Sequence, residues 1–155
     1  MDLTLGKRAD YMVRAVLDLA RYQGHGRRKT ADIAEEMQVP VTYLPQLRAE
    51  LVREGIVCSM AGRHGGYELA RDPAEVSLLE VIEVADGPLG SAECVLRGGP
   101  CRWEEGCAIH TPWARAQEAF RNSLRATTFA EVATIDAALS GSHDAGAPPR
   151  PAMPR

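Results

Sequence analysis

No run in the 155 residues reaches the ~18 consecutive apolar residues that a membrane helix needs, so no membrane partner is expected. Residues Met1 to Asp10 mix charges and hold no apolar core, which excludes a secretory signal and points to the cytoplasm. Positive charge is not in surplus: 18 Lys and Arg stand against 21 Asp and Glu, a formal net charge of −3. That balance speaks against a chain that wraps nucleic acid with a polybasic surface. Internal repeats are missing, as are a nucleophile–base motif, a phosphate loop ending in Lys-Ser/Thr and a hydrolytic acid pair, so an enzyme is not expected. Cysteine is sparse too. Only four are present, and in a reducing compartment thiols serve metals or redox chemistry more often than structural disulfides.

What is present begins with a hydrophobic fraction of 45%, enough for one folded domain with an appended arm. Charge is unevenly spread. Residues 1–71 hold 11 Lys/Arg and 9 Asp/Glu (net +2), whereas residues 72–155 hold 7 and 12 (net −5). The N-terminal half is therefore the one to face a polyanion.

Helical spacing of Met12, Val16 and Leu19, and of Val13, Leu17 and Ala20, predicts a buried helix over about 8–23, ended by Gly24 and Gly26. A basic cluster, Arg27-Arg28-Lys29, precedes a short helix with Thr30 as its expected N-cap and Ile33, Ala34 and Met37 on one face. After Val39-Pro40-Val41 a third helix is expected from near Thr42, with Leu44, Leu47 and Leu51 inward and Gly55 as its stop. Tyr43, Gln46, Arg48 and Glu50 fall outside that stripe. Such a pair matches a helix-turn-helix or a generic helical hairpin equally well. The next segment favours the former. Ile56-Val57-Cys58 and Tyr67 to Ala70 read as strands around Gly62, Gly65 and Gly66, a wing with Arg63 and His64 at its tip.

Ser77-Leu78-Leu79-Glu80 reads as a capping box opening a helix that Gly87-Pro88 ends. Residues 86–110 show no period, and a run that long needs something to pin it. Thr111-Pro112 is the expected start of a helix carrying Trp113, Ala116, Phe120 and Leu124 on one face, a stripe suited to a second chain. Thr128 to Glu131 is another capping box, before Val132, Ile135 and Leu139. Residues 140–155, with four prolines, read as disordered. The expected organisation is a winged helix-turn-helix over 1–85, a loop over 86–110, dimerisation helices over 111–139 and a tail over 140–155.

The unpinned loop holds Cys94, Cys101, Cys107 and His110 in the pattern C-x6-C-x5-C-x2-H. Soft thiolates and an imidazole within 17 residues can complete a metal's ligand shell. The spacing is wider than the paired knuckles of structural zinc, and a glycine-rich loop suits a broader iron–sulfur cluster, with zinc as the alternative. Arg97 and Arg102 lie between the ligands, where they either offset thiolate charge or are solvated. His110 could instead cap the following helix. Cys58, alone in a strand, reads as a buried bystander thiol.

These residues together resemble the Rrf-two family of winged-helix regulators over about residues 1–139. The carriers are Lys7-Arg8-Ala9-Asp10-Tyr11 with Arg14, Tyr43-Leu44, the wing Gly62 to Leu69, and Ser77 to Glu83 ending in Asp86-Gly87-Pro88. The three-cysteine loop follows in the expected place. The resemblance implies a mainly α fold, a long C-terminal dimerisation helix, a homodimer on a double-stranded DNA operator, and a cluster on the cysteine loop. Of the fourth ligands it implies, His110 fills one role by spacing and goes with a 2Fe–2S cluster. Asp10 aligns with the other, contributed by the partner subunit, and goes with a 4Fe–4S cluster. DNA would be contacted from Thr42, Tyr43, Gln46, Arg48, Arg63 and His64. Three departures stand out. The first cysteine gap is six residues rather than five, Ala61 replaces a wing arginine, and Pro45 sits where members carry a polar reader. Nitric oxide, redox state or iron supply is the implied signal. A zinc-stabilised regulator, or an iron–sulfur carrier using the helix pair as scaffold, are the other readings.

Overall fold

A computed structural model of the chain describes residues 4–90, 94–96, 98–100, 103 and 106–143. Its elements run α1 (Lys7–Arg21), α2 (Thr30–Met37), α3 (Leu44–Arg53), β1 (Val57–Met60), β2 (Gly66–Leu69), α4 (Leu78–Asp86), α5 (His110–Ala126) and α6 (Phe129–His143), with one 3-10 turn at Pro73–Glu75. The fold is mainly helical with a two-stranded sheet, the architecture of a winged helix.

The core forms around α1, because its apolar stripe is broad enough to meet neighbours on several sides. It packs on α2, α4, α6 and β2, and Ala9, Met12 and Val16 lose all contact with solvent. Leu47 and Leu51 of α3, Ile56, Val57 and Leu69 of the hairpin region, Val76, and Phe129 of α6 join the same cluster. Burying each such side chain contributes about 1.5–3 kcal/mol, so this cluster fixes the frame on which the exposed residues sit.

The hairpin is antiparallel, with Val57 opposite Leu69 and Met60 opposite Gly66. Its tip closes on the Gly65 N–H donating to Gly62 O at 3.0 Å, with Gly62 at φ +100°. A Cβ on Gly66 would lie 2.6 Å from Arg28 O, so glycine there is what lets residue 28 approach.

Several helix ends differ from the sequence expectation. Thr30 is not the N-cap of α2. Lys29 takes that place, and its N–H donates to the Asp32 carboxylate at 3.3 Å. The third helix starts at Leu44 rather than near Thr42, because the Tyr43 N–H donates to Pro40 O at 3.0 Å and holds residues 40–43 as a turn. Pro45 then falls in the first turn, where its missing N–H costs nothing. α5 starts at His110 instead of after Thr111, since the Trp113 N–H already donates to Ile109 O at 3.0 Å. Ser77 and Thr128 do cap α4 and α6, accepting from the Glu80 and Glu131 N–H groups at 3.2 and 3.3 Å. Glu80 does not close the capping box. Its carboxylate pairs with Arg71 at 2.5 Å. α6 continues to His143, so residues 140–143 are helical rather than part of a disordered tail. Residues 144–155 lie outside the described residues.

α5 contrasts with the rest. None of its residues is buried. It rests against α4: Arg121 donates to Leu89 O at 2.5 Å and pairs with Glu83 at 3.4 Å, and just past its end Thr127 O accepts from the Leu78 N–H at 2.9 Å.

Candidate nucleic-acid interface and cysteine loop

α2, the turn at 38–43 and α3 form the helix pair. Gln38 ends α2 in the left-handed conformation (φ 53°), and the Val39 N–H donates back to Ala34 O at 3.0 Å. Buried Val39 then turns the chain so that α3 drops Leu44, Leu47 and Leu51 into the core. What α3 leaves outside is decided by that choice. Thr42, Tyr43, Pro45, Gln46 and Ala49 are exposed and contiguous. Tyr43 is steadied by Tyr11 of α1, edge to face with ring centroids 5.4 Å apart. Arg48 is half-buried. It donates to the Tyr67 hydroxyl and lies 4.7 Å over the Tyr67 ring, so it joins α3 to the wing.

At the wing tip Arg63 and His64 are both exposed. The cations of residues 7–71 are mostly spoken for. Arg8 pairs with Glu50, Arg14 with Asp10, Arg21 with Glu36, Arg27 with Glu68, Arg28 with Asp18, Arg53 with Glu54 and Arg71 with Glu80. Among the described residues Lys7, Lys29, Arg48 and Arg63 have no carboxylate partner. The net surplus of the N-terminal half is thus concentrated in few side chains, two of them at or beside the wing.

Of the basic cluster, Arg28 is turned inward, while Arg27 and Lys29 are exposed. The Arg28 guanidinium donates to both oxygens of Asp18 at 2.8 and 3.0 Å, and it stacks 3.8 Å over the Tyr22 ring. Asp18 is fully buried, and its hydrogen bond raises the already high pKa of Arg28. The sequence reading missed this pair. Its signal was an aspartate inside an apolar helix stripe, which calls for a buried cation.

In the cysteine loop the Cys94 N–H donates to Gly99 O at 2.7 Å and Cys94 O accepts from the Gly98 N–H at 2.8 Å. This tight turn uses Gly98 and Gly99 at φ +69° and +70°, a conformation glycine adopts without strain. The His110 N–H donates to Cys107 O at 3.2 Å, placing that cysteine one turn before the start of α5. Cys101, Arg97 and Arg102 lie outside the described residues. Among the described residues no three candidate ligands gather at one point. Asp10 sits on α1, its carboxylate held by Arg14 through two hydrogen bonds of 2.9 Å. The donor chemistry still suits an iron–sulfur group: thiols at 94, 101 and 107, and an imidazole at 110 fixed to the first turn of α5. Cys58 is separate, in β1 with its thiol 3.7 Å from Glu68. Burial first, and then the Glu68 charge, push that thiol's pKa up and keep it protonated.

The Rrf2 family model, described as an iron-dependent transcriptional regulator, matches residues 5–135. The HTH-type transcriptional regulator IscR of Serratia proteamaculans is 32% identical over 130 residues, covering 84% of this chain and 79% of that protein. A putative HTH-type transcriptional regulator of Mycobacterium tuberculosis, Rv1287, is 33% identical over 131 residues, covering 84% and 81%. Among solved structures, CymR, the global cysteine regulator of B. subtilis, superposes with a TM-score of 0.74 at 27% identity, over 86% of this chain and 98% of that one. IscR of T. potens gives 0.66 at 27% identity, over 97% and 96%.

Proposed function

Since the chain belongs to the Rrf2 family, we propose that it is an operator-binding homodimer whose grip on DNA is set by an iron–sulfur cluster on the 94–110 loop. The chain is a DNA-binding transcriptional regulator, not an enzyme. Thr42, Tyr43 and Gln46 read base edges from the start of α3, and Arg63 with His64 meets phosphates or the minor groove from the wing. Arg48 serves mainly to hold wing and α3 in fixed relation.

The observation that carries the sensing part is the continuity of the ligand loop with α5. Leu89, at the start of the loop, is tied to α4 and α5 together, and the loop ends with His110 as the first residue of α5. A change in what Cys94, Cys101, Cys107 and His110 hold therefore acts on the helix that we assign to the dimer contact. Bound there, a cluster supplies a centre that nitric oxide, oxidants or iron scarcity can alter. Two winged helices fit half-sites about one helical turn apart only in a particular relative angle, so moving α5 changes affinity. His110 is favoured as the fourth ligand over Asp10, whose carboxylate is already engaged by Arg14. The signal and the residence in the cytoplasm belong to the same proposal.

Anaerobically purified protein tests it. The expected result is a coloured protein whose visible absorption disappears in Cys107→Ala. Its affinity for a duplex enriched from a random pool should change when nitric oxide is added. A colourless protein with stoichiometric zinc would replace the sensor with a zinc-stabilised regulator, and an affinity that nitric oxide leaves unchanged would separate DNA binding from the cluster.

A further inference from the structure

We infer that Lys29 is a positioning residue for DNA binding, which holds the wing tip so that Arg63 is presented to the duplex. The inference rests on the reading of Arg63 as the wing's DNA contact.

A two-stranded hairpin is marginal on its own and takes its pose from whatever braces it. Here the brace is the segment 27–29, and its three residues divide the work. The Arg28 N–H donates to Tyr67 O, and the Tyr67 N–H donates to Arg28 O, both at 2.8 Å, so residue 28 adds a bridge alongside β2. Gly66 permits that approach, and Asp18 locks the Arg28 side chain from below. Arg27 pairs with Glu68 at 2.9 Å. Both contacts hold β2, the base of the wing. Only Lys29 reaches the tip: its ammonium donates to Arg63 O at 3.3 Å and to Gly65 O.

The tip needs that hold. Ala61, Gly62, Arg63 and His64 are all exposed and bring no apolar side chain to the core. Its internal backbone bond is the one from the Gly65 N–H to Gly62 O. An ammonium between two carbonyls adds charge-assisted bonds on either side of residue 64, and it turns the negative ends of those dipoles toward α2. The Arg63 guanidinium, by contrast, has no partner among the described residues and stays available. Ordering the tip in the free protein lowers the entropy lost when Arg63 docks. A lysine beside a wing would ordinarily be counted as one more phosphate contact, and the two roles differ in how they combine with Arg63.

A double-mutant cycle separates them, using a duplex enriched by the wild-type protein from a random pool. Lys29→Met is expected to weaken binding about fivefold and Arg63→Ala about tenfold, the scale of a charge-assisted hydrogen bond. The double variant should bind within about twofold of Arg63→Ala alone. Amide exchange at Gly62 to Gly66 in the free protein should quicken in Lys29→Met, with Lys29→Arg restoring part of both effects. Losses that multiply in the double variant would make Lys29 an independent phosphate contact and overturn the inference. So would unchanged amide exchange. If Arg63→Ala bound like wild type, the wing reading would fail, while the exchange measurement would still decide whether Lys29 holds the tip. Lys29 is exposed and outside the core, so its substitution leaves the fold in place.

Discussion

Between Lys7 and Asp86, helices, hairpin and turns bury Met12, Val16, Leu47, Ile56 and Val81 in one cluster, whereas the 17-residue α5 buries no residue at all. The first region packs around a continuous core, which Phe129 of α6 helps to close. The second hangs from Arg121 near its middle and Thr127 at its end, with half-exposed Trp113 and Leu124 and a Phe120 that is 39% exposed along it. In proteins most helix stability comes from packing an apolar face, so a helix left bare in one chain takes its stability from elsewhere. That is the physical case for reading α5 as the contact with a second copy, and for placing a ligand-sensitive loop at its start. The region to which we assign DNA reading is held by a buried core that α6 helps to complete. The region we propose to answer a signal is the one whose helix α5 buries no residue.

The largest test of this contrast is to truncate one side chain in each region. Leu47→Ala should cost about 3 kcal/mol in urea unfolding, because the space left at a site 2% exposed cannot collapse. That loss should be the same at low and high protein concentration. Phe120→Ala should cost less than about 0.5 kcal/mol at dilutions where chains are separate. Its effect belongs to the concentration at which they associate, read by sedimentation. A loss at Phe120 as large as that at Leu47 in dilute protein would erase the distinction.

The buried ion pair sharpens the same comparison. Asp18→Ala removes the partner of an Arg28 side chain that is 15% exposed, and it should lower stability by about 2 kcal/mol. This is less than a fully buried pair would lose, since Glu36 at 3.4 Å still faces the guanidinium. Wing and α2 should loosen together, seen as faster exchange of the Arg28 and Tyr67 amides. Ser77→Ala, which removes the N-cap of α4, should cost about 1 kcal/mol by the same unfolding measurement.

How far the sequence could be read follows the same division. The stripes at Met12, Val16 and Leu19 and at Leu44, Leu47 and Leu51, the hairpin glycines, and the caps at Ser77 and Thr128 are local signals, and the elements formed where those signals stood. Helix starts shifted by one or two residues, because a cap depends on which N–H finds an acceptor first. Turns at Pro40 and Ile109 decided that, and neither is visible in periodicity. The partners of Arg27, Arg28 and Lys29 were illegible for a different reason. They are Asp18, Glu68 and the tip carbonyls, up to 41 positions away in the chain. The exposure of Thr42, Tyr43, Gln46 and Arg63 was legible, since these are the positions a buried stripe or a hairpin leaves outside, whereas Arg48 gave no sign of its commitment to Tyr67. For the cysteines, spacing names candidate donors, and the C-x6-C-x5-C pattern does not state whether their side chains meet.

The smallest expected effect sets one cysteine of the packed region against those of the loop. The Cys58 thiol is half-buried in β1, and burial followed by the Glu68 charge raises its pKa. The folded thiol therefore keeps its proton where an unfolded one would lose it. The sign follows: this group leaves stability unchanged below the ordinary thiol range and subtracts from it as pH rises past about 8.5, where the unfolded chain gains by ionising. Thiolate is the reactive form, so Cys58 should alkylate more slowly than a cysteine in the unfolded chain at pH 8. Glu68→Gln removes the second cause and leaves the first, and so should speed the reaction only about two- to threefold. Mass spectrometry of each cysteine peptide after timed iodoacetamide reads this directly. A Cys58 that reacted as fast as an unfolded thiol would mean that β1 opens readily, and that the wing is not part of the packed region after all.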